Sequence, residues 1–221
     1  MEMDFISAFL VGLAGAGHCI AMCGGITSML TRSVGNARPA LYLVIAYNLG
    51  RIGSYTLAGV IAGLSGSLAA KSIGMPVAIL QVIAAIFLIF LGLYIGQWLF
   101  LLNRVEAVGK LLWQRIQPLS KRFIPVNSGY QALALGAIWG WLPCGLVYST
   151  LTWSLASGSW HQGGLIMLAF GIGTLPALLT LSAGFNWFTQ NLKNTWVKKV
   201  SGLLLLTYGF YSLHIALKNL F

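Results

Sequence analysis

At 221 residues, 58% hydrophobic and only 7% charged, with a mean hydropathy of +0.84, the chain lies outside the range of soluble domains and reads as an integral membrane protein. Thirteen basic residues against three acidic ones give a net charge of +10. That excess fits loop topology and attraction to anionic lipid, and gives no reason to invoke nucleic acid.

A helix needs about 20 mostly apolar residues to cross the hydrocarbon core. Stretches of that kind at 5–31, 40–68, 76–102, 129–156, 161–184 and 197–217 predict six transmembrane helices in an all-α chain. The first opens on Glu2 and Asp4 instead of a basic segment and has no evident cleavage site, so it is expected to stay as a helix and not to be a signal peptide. It carries "GHCIAMCGGI", Gly17 to Ile26. At about 100° per residue, His18, Cys19, Met22 and Cys23 fall on one side of a helix. An imidazole, two thiols and a thioether are the soft donor set that suits Cu(I) or another thiophilic metal. The alternative is structural: His18 bonds a carbonyl freed by the glycines and Met22 fills a gap. A Cys19–Cys23 disulfide is not expected, because Cβ atoms four residues apart in a helix lie about 6 Å apart and a bridge needs about 3.8 Å.

The second span contains Asn48 and Arg51. An intramembrane charge is a functional-site candidate by default, but Arg51 is expected here to have a structural role, snorkelling or capping carbonyls loosened around Gly24. After the third span comes a basic linker, 103–128, with Arg104, Lys110, Arg115, Lys121 and Arg122. Leu111, Leu112, Trp113 and Ile116 alternate with these charges, as in a helix lying on the headgroups or in a solvated connector. In the fourth span, "GWLPCG", Pro143 removes a backbone donor and is predicted to restart the helix at Cys144, under the positive end of its dipole. Pro176 in the fifth is expected to break that helix and supply a hinge, or else to be a tolerated kink. His161 and His214 stand near the outer ends of spans five and six, where interfacial hydrogen bonding is expected.

The two halves of the chain match. Cys23-Gly24 pairs with Cys144-Gly145, "AYNLGR" (46–51) with "AFGIGT" (169–174), and "LGLY" (91–94) with "YGFY" (208–211). Each match falls in the corresponding helix of a three-helix unit. Three is odd, so the second copy, 129–221, is expected to be inverted relative to the first, 1–102. Such repeats place their working site near the midplane between copies, on broken helices: here helix 1, expected to be interrupted by Gly12, Gly15, Gly17, Gly24 and Gly25, and helix 4, by "GWLPCG" (140–145). Symmetry then brings Cys23 and Cys144 together as a candidate redox pair.

Basic residues follow spans one, three and five, at Arg32 and Arg38, in the linker, and at Lys193, Lys198 and Lys199. By the positive-inside rule these loops are cytoplasmic and both termini are external. No Asp or Glu falls inside any predicted span, which leaves no carboxylate relay and no acid or base for hydrolysis. There is also no phosphate-binding GxxxxGK[ST] loop.

"GHCIAMCGG", "YNLGRIGSYTLAG", "WGWLPCGLVYS" and "FGIGTLPALL" together resemble the UreH-like, DsbD/CcdA-like cytochrome c biogenesis transmembrane family, often labelled sulfite exporter-like. The resemblance covers essentially the whole chain. It implies a bacterial inner-membrane carrier of reducing equivalents, with oxidoreductase-type thiol–disulfide exchange at Cys23 and Cys144. Its implied partners are a cytosolic thioredoxin-like reductant and an external thiol protein. "HCIAMC" departs from the Pro-Cys element of those relatives and adds a cysteine. That departure keeps open the second reading, a copper or nickel transporter or accessory protein that hands metal to an external acceptor.

Overall fold

The computed structural model describes residues 2–32, 37–73, 77–96, 98, 114, 115, 117, 118, 120, 123–142, 144–182 and 195–218. Pro143, the side chains of His18 and Met22, and most of the basic linker lie outside the described residues, so the expectations placed on them stay as expectations. The described residues form helices and no strand. They are α1 (Glu2–Ala14), α2 (Ala16–Arg32), α3 (Ala37–Ile73), α4 (Val77–Ile95), α5 (Gly129–Trp139), α6 (Gly145–Ala156), α7 (Trp160–Ser182) and α8 (Thr195–Lys218).

Two of these helices contain segments long and apolar enough to cross a membrane, Leu41–Ala69 in α3 and Trp160–Ser182 in α7. The side chains of α3 are arranged for that solvent. Leu41, Ile45, Leu49, Leu57, Ile61, Leu64 and Leu68 point outward, while Tyr47, Asn48, Arg51, Ser54 and Tyr55 are buried. An apolar exterior around a polar interior is the pattern expected of a helix bathed in lipid.

Helix packing relies on glycine, since small residues let backbones approach where lipid tails compete equally well for apolar side chains. A Cβ on Gly12 of α1 would run into the Phe170 carbonyl of α7, and one on Gly173 into the Phe9 carbonyl. The same arrangement joins α5 to α3: a Cβ on Gly136 would strike the Tyr47 carbonyl and one on Gly50 the Leu133 carbonyl. Phe9, Gly12, Phe170 and Gly173 thus correspond to Leu133, Gly136, Tyr47 and Gly50. Likewise Gly92 of α4 faces Leu206 of α8, while Gly209 faces Ile89. α3 and α7 run antiparallel, with Gly59 against Gly163 and Gly63 against Ser159.

The two helix breaks differ from each other. Between α5 and α6 the chain leaves helical geometry, and Cys144 is the N-cap of α6 with extended backbone (φ −127°, ψ 148°), so the helix restarts at Cys144 as expected. The first break is much smaller. Only Gly15 separates α1 from α2, and both of its backbone groups still bond along the helix: Gly15 N donates to Val11 O at 2.9 Å, and Cys19 N donates to Gly15 O at 3.1 Å. The helix then continues through Gly17, Gly24 and Gly25, which corrects the expectation of a span broken along its glycine run. Those glycines serve other needs. Gly15 receives the Leu146 side chain and Gly24 the Leu181 side chain, each about where a Cβ would stand. Cys23 therefore lies within α2 and not at a helix start.

α7 continues unbroken through Pro176, so the helix break expected there does not occur. The proline ring is exposed, and a helix in lipid tolerates such a residue where neighbouring groups take up the freed backbone. His161 stacks against Trp160, with ring centroids 3.7 Å apart.

Candidate functional site: buried thiols beside a buried arginine

The two breaks meet. Gly15 is filled by Leu146, in the first turn after Cys144, so the joint of α1 and α2 seats directly on the start of α6. Four residues after Gly15 comes Cys19, and two before Leu146 is Cys144. Cys19 and Cys144 belong to one buried cluster with Tyr55, Leu146, Met167 and Phe170. All three cysteines are buried, with 5%, 4% and 6% of the surface of Cys19, Cys23 and Cys144 exposed, and no disulfide joins them.

Helical spacing builds the two walls. On α2, Cys19, Cys23 and Thr27 recur every four residues, and the Thr27 hydroxyl donates to the Cys23 carbonyl at 3.2 Å. On α3, Tyr47, Arg51 and Tyr55 recur at the same interval, which keeps each set on one face. Tyr55 is within electrostatic range of all three cysteines and of Arg51, and Arg51 is within range of Cys19, Cys23, Tyr47 and Tyr55. The Tyr47 hydroxyl is turned to Cys23 but makes no hydrogen bond of ordinary geometry. The Tyr55 ring packs on Phe170 at 5.7 Å.

Arg51 is completely buried. Its Nη2 donates to Thr174 Oγ1 at 2.5 Å and its guanidinium lies 5.5 Å from the centre of the Tyr55 ring. Nε and Nη1 have no hydrogen-bond partner among the described residues. Thr174 in turn donates to the Gly171 carbonyl at 2.7 Å. Arg51 therefore caps no carbonyl near Gly24, contrary to expectation: the helix there is intact and offers none. Asn48 donates to the Val44 carbonyl at 2.9 Å, while its Oδ1 is buried without a partner. A buried polar group left unpaired costs about 1–3 kcal/mol, more when charged, so this cluster is not one that stability alone would select.

Of the residues singled out from the sequence, the fold clusters Cys19 with Cys144, sets Cys23 one turn further along α2 on the side that Arg51 and Tyr47 approach, and leaves Pro176 on the outer face of α7. Among the described residues no group of three His, Cys, Asp or Glu side chains could hold a metal ion. Tyr47, Tyr55 and Thr174 are site residues that sequence reasoning missed. A signal for Thr174 was present: it is the last residue of "AFGIGT", paired with Arg51 in "AYNLGR".

Outward leucines, a buried guanidinium and thiols at the meeting of two helix breaks define a helical membrane protein with an internal cysteine site. A family model described as cytochrome c biogenesis protein transmembrane region matches residues 7–211, and the chain belongs to that family. No curated protein and no solved structure matches it.

Proposed function

We propose that this protein carries reducing equivalents across the bacterial inner membrane by thiol–disulfide exchange at Cys23 and Cys144, in six spans arranged as two inverted three-helix repeats with both termini outside. The observation that carries this reading is the seating of Gly15 on Leu146, which sets thiols from both halves of the chain around Tyr55. The contacts of Gly12 with the Phe170 carbonyl and of Gly173 with the Phe9 carbonyl match those of Gly136 with the Tyr47 carbonyl and of Gly50 with the Leu133 carbonyl, and this correspondence between antiparallel helix pairs supports the repeat. Rocking of one unit against the other would then present the pair to each side in turn.

The exchange balances as follows. A thiolate of a cytosolic thioredoxin-class dithiol attacks Cys144 Sγ, and the Cys23–Cys144 bond breaks with its electron pair passing to Cys23. The donor's second thiol resolves the mixed disulfide. Two electrons and two protons have then entered the chain, to be passed to an external disulfide by the reverse steps.

Copper handling by His18, Cys19, Met22 and Cys23 would place a cation beside the guanidinium of Arg51, a like charge, so the geometry favours exchange. The deciding experiment is disulfide trapping in the purified protein. Oxidation should join Cys23 to Cys144, and thioredoxin with its reductase should reopen the bond. A protein in which no such bridge forms under oxidation, or in which thioredoxin leaves it untouched, would overturn the reading.

A further inference from the structure

Arg51 poses a problem of charge. It is fully buried, and among the described residues two of its three nitrogens lack a partner while the third donates to the neutral hydroxyl of Thr174. The chain holds only three acidic residues, Glu2, Asp4 and Glu106, and none lies in α3 or its packing partners α2, α5, α6 and α7. An arginine does not escape by losing its proton. The groups within electrostatic range of it that can become anionic are Cys19, Cys23, Tyr47 and Tyr55. As side-chain types in water, thiols are more acidic than phenols.

We propose that Arg51 is the resident counter-ion of the Cys23 thiolate, a positioning residue that accepts the charge released when the internal disulfide opens. This rests on the exchange reading above and assigns its charge balance. When the donor thiolate bonds to Cys144 Sγ and the S–S bond breaks, the electron pair goes to Cys23 Sγ, and the free Nε and Nη1 donors of Arg51 meet it. A leaving thiolate in a buried site would otherwise be uncompensated, and thiolate leaving ability governs exchange rates. Reoxidation reverses the flow: the Cys23 sulfur attacks the Cys144 sulfur of the mixed disulfide that Cys144 has formed with an external protein, and that protein's thiol leaves with the electron pair. The same fixed charge explains why two thiols one helical turn apart suit an anion-forming step better than a soft cation.

The test uses full-length protein with Cys19→Ser and Cys144→Ser, which leaves Cys23 as its one thiol. Two quantities are read at neutral pH: ultraviolet absorbance of thiolate, and the rate of reaction with a small alkyl thiosulfonate. Arg51→Met should remove the thiolate band and slow the reaction about tenfold or more, as expected on losing a buried opposite charge, while Arg51→Lys should keep most of both. An unchanged band and rate in Arg51→Met would overturn the proposal. Should Arg51→Met not assemble, Cys23→Asp against Cys23→Asn decides. A permanent carboxylate opposite Arg51 should make the Asp variant the more heat-resistant of the two, and the reverse order would overturn it. The two readings fail separately. Loss of thiolate in Arg51→Met, with no Cys23–Cys144 bridge ever trapped, overturns conduction and leaves the counter-ion standing. Full-rate cycling of Arg51→Met in the three-cysteine protein overturns the counter-ion and leaves conduction.

Discussion

Cys19 and Cys23 sit one turn apart on α2, equally buried, yet their surroundings differ. Cys19 shares an apolar cluster with Cys144, Tyr55 and Phe170, whereas Cys23 is the thiol toward which the Tyr47 hydroxyl is turned. A relay between Cys23 and Cys144 does not need Cys19, so Cys19→Ser should leave thioredoxin-dependent reduction of the pair nearly intact while Cys23→Ser abolishes it, as read by alkylation mass shifts. Were copper bound at this face instead, Cys19→Ser would cost affinity in a chelator competition and Cys144→Ser would cost little. Tyr55 is the wall on which thiols from both halves converge. Tyr55→Phe keeps the packing against Phe170 and should leave trapping of the Cys23–Cys144 bridge close to normal. Tyr55→Ala opens a cavity costing about 3–5 kcal/mol, and should lower both thermal stability in detergent and cross-link yield.

Helix pairing depends on a few glycines whose neighbours are carbonyl oxygens, which cannot rotate away as side chains can. Gly136→Ala and Gly50→Ala each push a methyl into the backbone of the facing helix, and should destabilise by about 1–3 kcal/mol, as overpacking does. Gly53 and Gly25 have nothing within 4 Å of an added Cβ. Alanine there should be neutral or stabilising by up to about 1 kcal/mol, the gain in helix propensity. Thermal unfolding of the four variants in one detergent checks both halves of this prediction, and equal losses in all four would refute the contact geometry. The broken helices follow a related logic. Cys144 caps α6 from an extended backbone, whereas Gly15 keeps both its helical bonds and acts as a seat for Leu146. A glycine run alone does not break a helix, because glycine retains its N–H donor. The break at 140–144 was legible in the sequence from the proline beside Cys144, which has no such donor.

For the molecule as a whole, the odd-loop excess of lysine and arginine predicts orientation. A reporter fused after Phe221 should read as external and one inserted near Ser120 as cytoplasmic, and the opposite pattern would remove the inverted placement of the two halves. Membrane residence, helix content and the internal match were readable from sequence, because each rests on local composition or on a regular period that every residue in the segment helps to report. The three thiols and Arg51 were also visible as residue types in an apolar background. What they touch was not. Cys23 looked like the counterpart of Cys144 at a helix start, yet it lies inside an unbroken α2. Arg51 looked like a cap for loose carbonyls, yet it reaches α7 and Thr174, 123 positions away. Such pairings depend on where antiparallel helices cross, and the crossings are set by carbonyl-to-glycine contacts between elements distant in the chain. Local sequence decided that a charge and three thiols would be buried. Tertiary packing alone decided that Cys19 and Cys144 would share one buried cluster and that Arg51, beside α7, would keep two guanidinium nitrogens without a partner among the described residues.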